Sequence, residues 1–191
     1  MSEQKKYFVQ NELNHYNQIY ILNGSINLDN EQLISIISCL LEEILQITDQ
    51  QENKFPSIFH NKKLPTISIR DYLLRINRIC HCSQECFILS IIYIDKIIQR
   101  QKEFVVNSFC IHRLLLASIM VAAKFFDDKY YNNSYYAKAG GVSSVEINYY
   151  ERSFLQLINF NLFVKEYQFY NYRQKLLDSY QQQLQGSESQ I

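Results

Sequence analysis

The chain has 191 residues, 47% of them hydrophobic, and its 19 basic side chains balance 19 acidic ones. That length suits one domain with an ample core, and 4 Gly and 2 Pro are too few for an all-β sandwich, which needs turn residues every 8–12 positions or so, about one turn per strand. Zero net charge excludes a general polyanion binder, so no nucleic-acid partner is expected.

Residues 1–27 are rich in Asn, Gln and Tyr and keep no sustained period, as an irregular extension would. The opening MSEQKKYFVQ lacks the apolar segment of a secretory leader. The cysteines (Cys39, Cys80, Cys82, Cys86 and Cys110) are odd in number and lie mostly inside apolar stretches. Together these favour a soluble chain in a reducing, intracellular compartment. Asp29 or Asn30 then caps a predicted helix over residues 30–48, with Leu33, Ile34, Ile37, Leu40, Leu41, Ile44 and Leu45 at spacings of three and four. The polar TDQQENK ends it, and Pro56 and Pro65 bracket a loop.

Ser68 begins the next predicted helix, with Asp71 in its first turn and Ile69, Tyr72, Leu73, Ile76 and Ile79 as its apolar face. Ser83 caps a stronger element: residues 86–98, CFILSIIYIDKII, are apolar on nearly every side, as in a helix enclosed by others. Asn107 is expected to cap a second helix of this kind over residues 112–126, HRLLLASIMVAAKFF. Its apolar run, residues 114–123, is about half of the ~20 residues a bilayer span requires, so no membrane partner is expected. DDKYYNNSYYAKAGG reads as turn-rich, and Ser143 and Glu146 then form a capping box ahead of Ile147, Tyr150, Phe154, Leu155 and Ile158. From Lys165 onward Tyr167, Phe169, Tyr170, Tyr172, Leu176 and Leu177 mark a last helix, and beyond Ser179 apolar groups are too few to impose order. The fold class is all-α, a ball of helices about a central one.

Few constellations carry chemistry. Cys80, His81, Cys82 and Cys86 cluster as CHCxxxC, which is not the paired spacing of zinc ligands, so no metal is expected and packed thiols are. Cys110 and His112 stand too close along one helix start to face each other as nucleophile and base. Gly140–Gly141 lacks the spacing of a phosphate loop and reads as a chain reversal. Tyr130, Tyr131, Tyr135 and Tyr136 could stack on bases, but the flanking basic residues are only Lys129 and Lys138. Asp95 and Lys124 interrupt the two most apolar helices, where an unpaired charge is costly. Glu151 is a carboxylate neighbour for Lys124. Such a pair serves either to fix helix register or to present charges to a partner's backbone.

The strings ISI, YLxRI, YID, HRLL, VAAKFFDD, YNN and YYAKAGGVS, in that order between Ile67 and Ser143, resemble the cyclin box of the P/U-type cyclins. The resemblance implies a single five-helix box whose third helix is central, flanked by amino- and carboxyl-terminal helices. It divides the chain into an extension with one amphipathic helix (residues 1–52), the box (53–164), and a last helix with a disordered tail (165–191). It implies a regulatory subunit without enzymatic activity or cofactor. Such a subunit binds and activates a cyclin-dependent kinase in the nucleus or cytoplasm, as a heterodimer or within a larger assembly. A scaffold that keeps the fold without activating a kinase is the alternative. By resemblance Lys124 and Glu151 bond to the kinase near its movable regulatory helix, and Phe125, Phe126 and Phe154 supply apolar anchors. Asp127 or Asp128 would pair with an arginine of the kinase activation segment. Asp95 falls at a buried aspartate that an arginine, Arg70 or Arg75, would brace, although the usual YIDR reads YIDK here, with Lys96.

Overall fold

The computed structural model describes residues 28–51 and 57–188, the last side chains described being those up to 181. All regular structure among them is helical. Helix α1, Asn30–Thr48, starts at a full capping box in which Gln32 N donates to Asp29 Oδ1 (2.7 Å) and Asp29 N to Gln32 Oε1 (2.9 Å). Its stripe buries Leu33, Ile34, Ile37, Leu41 and Leu45, while Ile44 at the stripe's edge stays half exposed. Helix α2, Ile69–Cys80, is capped by Ser68, whose hydroxyl accepts from Asp71 N, and ends at His81 in the left-handed region (φ 45°).

Helix α3, Gln84–Arg100, follows Ser83, and its turn is closed differently from expectation. The Ser83 hydroxyl donates to Cys86 Sγ instead of accepting a backbone N–H. Helix α4, Ile111–Phe126, begins after Cys110, so Asn107 is not its cap. Asn107 instead forms the preceding turn, taking Phe109 N on Oδ1 and Cys110 N on its carbonyl. Within α4 every residue from Leu114 to Ala123 is buried, as its all-round apolar sequence requires. It packs against α2, α3 and two helices beyond it, and Ser118 Oγ donates to the Ser90 carbonyl of α3 (2.8 Å).

The stretch that composition reads as turn-rich contains a helix, α5, Asn133–Gly140. Asn132 caps it by accepting from Tyr135 N, and the buried Tyr136, Ala137 and Ala139 supply the packing that its propensities lack. Gly140 permits close approach to α4: a Cβ there would lie 2.1 Å from Leu116 Cδ2. Gly141 then closes the helix at φ 68°.

Helix α6, Ser144–Leu157, opens on the expected Ser143–Glu146 capping box and buries Ile147, Tyr150 and Phe154. The link after it is pinned to α3, Tyr93 OH donating to the Leu162 carbonyl and Lys96 Nζ to those of Asn161 and Phe163. Helix α7, Glu166–Glu188, lies on α1 and α3 through the buried Leu176 and Leu177. It continues past Ser179 through the glutamine-rich stretch, because glutamine is a good helix former and extending an existing helix needs no new nucleus. No described helix is long and apolar enough to cross a membrane.

Candidate functional site

Lys124 occupies the last turn of α4, where an ammonium meets the negative end of the helix dipole. Its Nζ donates to Glu151 Oε1 on α6 at 2.6 Å and also to Asn133 Oδ1 at the start of α5. Asn133 Nδ2 in turn donates to Glu151 Oε2 (2.7 Å) and to Asn148 Oδ1 (2.7 Å). One amide thus spends both its donors and its acceptor on holding the ion pair. Side-chain exposures of 25% for Lys124 and 22% for Glu151 put the pair at the surface, where attraction alone contributes about 1 kcal/mol or less. Its consequence is orientation: three helices converge on charges that cannot swing freely.

Beside the pair, Phe125 and Phe126 are half exposed, and Tyr130, Tyr131 and Tyr135 are exposed too. The rings of Tyr131 and Tyr135 stack on each other at 4.3 Å. Apolar side chains grouped in this way around fixed charges have the composition of a protein-binding surface.

Other candidates stand elsewhere. Phe154 is fully buried in the core, so it cannot anchor a partner; its position in the α6 pattern already placed it on the inward face with Ile147 and Tyr150. Asp127 accepts from Ser83 N at 3.2 Å, which sets its charge at the start of α3, the favourable end of that helix's dipole. Asp128 is exposed. Asp95 is only partly buried, and among the described residues no arginine braces it. It accepts from Tyr172 OH of α7 and from Gln99 Nε2 (2.9 Å), while Arg70 donates to Ser35 Oγ and the Arg75 guanidinium lies over the Tyr72 ring. A tyrosine of α7, rather than an arginine, is the long-range hydrogen-bond partner of Asp95.

Cys80, Cys82 and Cys86 are buried at the junction of α2 and α3. Burial pushes the first two thiols up to about 12 and about 11, and the third higher still. His112 Nε2 donates to the Ile67 carbonyl at 2.9 Å, its ring packs edge-on against Tyr72, and burial lowers its pKa. Tyr136 is buried under α5 and presents no face for stacking. Among the described residues no group of three His, Cys, Asp or Glu side chains could hold a metal ion.

Asn133 and Asn148 are the site residues that sequence reasoning missed. Asn148 precedes Glu151 by three, which puts both on one helical face, and that spacing was a usable signal. Asn133 sat inside a segment without visible periodicity.

A central apolar helix wrapped by four others, with an ion pair fixed where three of them meet, defines an all-helical domain of the cyclin-box type. The chain belongs to the cyclin family: a family model described as Cyclin matches residues 24–162. It is 43% identical over 136 residues to Cyclin-U4-1 of Arabidopsis thaliana, covering 69% of this chain and 67% of the relative. It is 38% identical over 149 residues to Cyclin-P4-1 of Oryza sativa subsp. japonica, covering 74% and 70%. It is also 35% identical over 168 residues to the PHO85 cyclin-like protein psl1 of Schizosaccharomyces pombe, covering 80% and 69%. The alignments span 67%, 64% and 62% of the lengths of three Arabidopsis cyclin-U4 relatives. These names place it with the P/U-type cyclins.

Proposed function

We propose that this chain is the regulatory subunit of a cyclin-dependent serine/threonine kinase, acting in the nucleus or cytoplasm through residues 53–164 as its cyclin box. One observation carries the reading: the Lys124–Glu151 pair is held rigid by Asn133 yet stays part-exposed beside Phe125 and Phe126. A register-fixing pair would serve equally well under a covering of core residues. Here it stands where a partner's backbone can bond to it.

The subunit performs no chemistry in this mechanism. It binds the kinase conformation in which the lysine–glutamate pair and metal-binding aspartate are aligned, and so shifts the population toward it. Phe125 and Phe126 supply apolar area, ~2 kcal/mol each at most when covered. Lys124 and Glu151 set the angle of approach. Asp128, free of the helix-capping duty that occupies Asp127, is the carboxylate offered to an arginine of the activation segment. Recovery of a kinase that depends on Lys124 and Glu151, with phosphorylation that depends on the complex, tests the reading. An inert complex would leave the scaffold alternative.

A further inference from the structure

Helix α1 carries more apolar surface than its neighbours cover. Leu33, Ile36, Leu40, Ile44 and Ile47 recur at spacings of three and four, which places them within about 40° of one line down the helix. Leu33 and Ile36 are buried, at 2% and 1% exposure, and Leu40 is partly buried, but Ile44 and Ile47 reach 50% and 67%. Ile34, Leu41 and Leu45, turned toward the core, stay buried along the whole helix. The stripe therefore runs out from under its cover halfway along. Single exposed apolar residues need no occupant; a continuous stripe, sealed at one end and open at the other, is a packing face left incomplete.

The open half is acidic. From Leu28 to Gln51 the chain has Asp29, Glu31, Glu42, Glu43 and Asp49 but no Lys or Arg. Asp29 is spent on the cap of α1, and Asp49 on Ser108 N (2.8 Å) and Ser108 Oγ (2.6 Å). Glu42 and Glu43 are exposed and form no ion pair with a described residue, Glu43 taking only a long contact from Cys39 Sγ (3.9 Å). Nor does the last turn of α1 hold a basic residue to meet the negative end of its dipole. A cation beside apolar side chains is what this end of the helix lacks.

Residues 1–27, which lie outside the described residues, contain such a sequence: Lys5 and Lys6 directly precede Tyr7, Phe8 and Val9. We propose that this segment docks on the open half of α1. Its apolar side chains seat on Leu40, Ile44 and Ile47, and its lysines meet Glu42 and Glu43. Ile44 and Ile47 stand only about 21–26 Å along the axis from Asn30, whereas the stretch from Val9 to Leu28 can extend to about 60 Å. Tethering supplies an effective concentration on the order of millimolar, so weak ion pairs and a small apolar contact suffice. Residues 5–9 then complete the packing of the helix that follows them in sequence. This contact goes beyond the kinase-binding reading and does not depend on it.

The test replaces Phe8 with the photo-reactive benzoylphenylalanine in the full chain. Equal parts of unlabelled and heavy-isotope-labelled protein are mixed, irradiated and digested, and cross-linked peptides are read by mass spectrometry. Cross-links to residues 40–51 within one isotope population are expected. Lys5→Glu/Lys6→Glu should lower their yield at least about threefold, and adding Glu42→Lys/Glu43→Lys to that chain should restore it. Ile44→Asp/Ile47→Asp should abolish them while keeping the wild-type circular dichroism spectrum; if that variant unfolds, the lysine pair and its rescue decide alone. Cross-links elsewhere in the chain, a yield indifferent to the charge changes, or no cross-link would overturn the site. Cross-links that join the two isotope populations would assign the face to a second copy. Loss of kinase co-purification in Ile44→Asp/Ile47→Asp, with the cross-link retained, would assign it to the kinase; either result also overturns the proposal.

Discussion

Asn133 Nδ2 lies 2.7 Å from Glu151 Oε2, so the short helix α5 holds the carboxylate that α6 presents. Removing that amide leaves Lys124 and Glu151 paired but free to rotate. Asn133→Ala is expected to cost about 1 kcal/mol of stability and to weaken kinase binding by more than that loss explains. Urea denaturation and titration calorimetry on the same preparation separate the two effects. Equal affinity would show that orientation of the pair is unimportant.

Phe154 and Phe125 should part company under truncation. Phe154→Ala opens a cavity in the core and is expected to destabilise by about 3–5 kcal/mol. Phe125, 53% exposed, should leave folding nearly intact when changed to Ala and lower kinase affinity instead. Thermal melts and pull-downs on both variants check this pairing.

Gly140→Ala should destabilise in spite of alanine's higher helix propensity. The new Cβ would fall on the Leu116 side chain, itself fully buried. Overpacking of this kind costs about 1–3 kcal/mol. A gain in melting temperature would mean that α4 and α5 can separate cheaply.

Stability should fall on both sides of a neutral plateau. Burial raises Cys80 to about 12 and Cys82 and Cys110 to about 11, from 9.0. The unfolded chain therefore loses these protons first, and the stability they contribute, complete below pH 9.0, fades as pH climbs through the raised values. Burial also lowers His60 and His112 from 6.5. There the unfolded chain gains protons first, so stability present above 6.5 is lost as pH falls. Melting temperatures measured under reductant across this range should show the plateau and both slopes; a constant value up to pH 11 would contradict the thiol assignment.

Much of the architecture could be read from the residues. The stripe of α1, the Ser143 capping box and the all-round apolar α4 each had one physical solution, and the structure adopts it. Helix α5 was hidden because its stability comes from contacts of Tyr136 and Ala139 with distant helices rather than from its own composition. The same tertiary dependence hid Asn133. Lys124 and Glu151 were visible because an isolated charge in an apolar helix demands a partner. The partner of Asp95 was misjudged, since Tyr172 lies 77 residues away and no local spacing connects them.

The most direct measurement is the affinity of the co-purifying kinase, identified by mass spectrometry, for the wild-type chain and for Lys124→Ala/Glu151→Ala. The double variant, still folded, should bind at least about tenfold more weakly, a loss of about 1.4 kcal/mol, and should activate the kinase correspondingly less. Wild-type affinity in the double variant, or no kinase recovered at all, would contradict the proposed function.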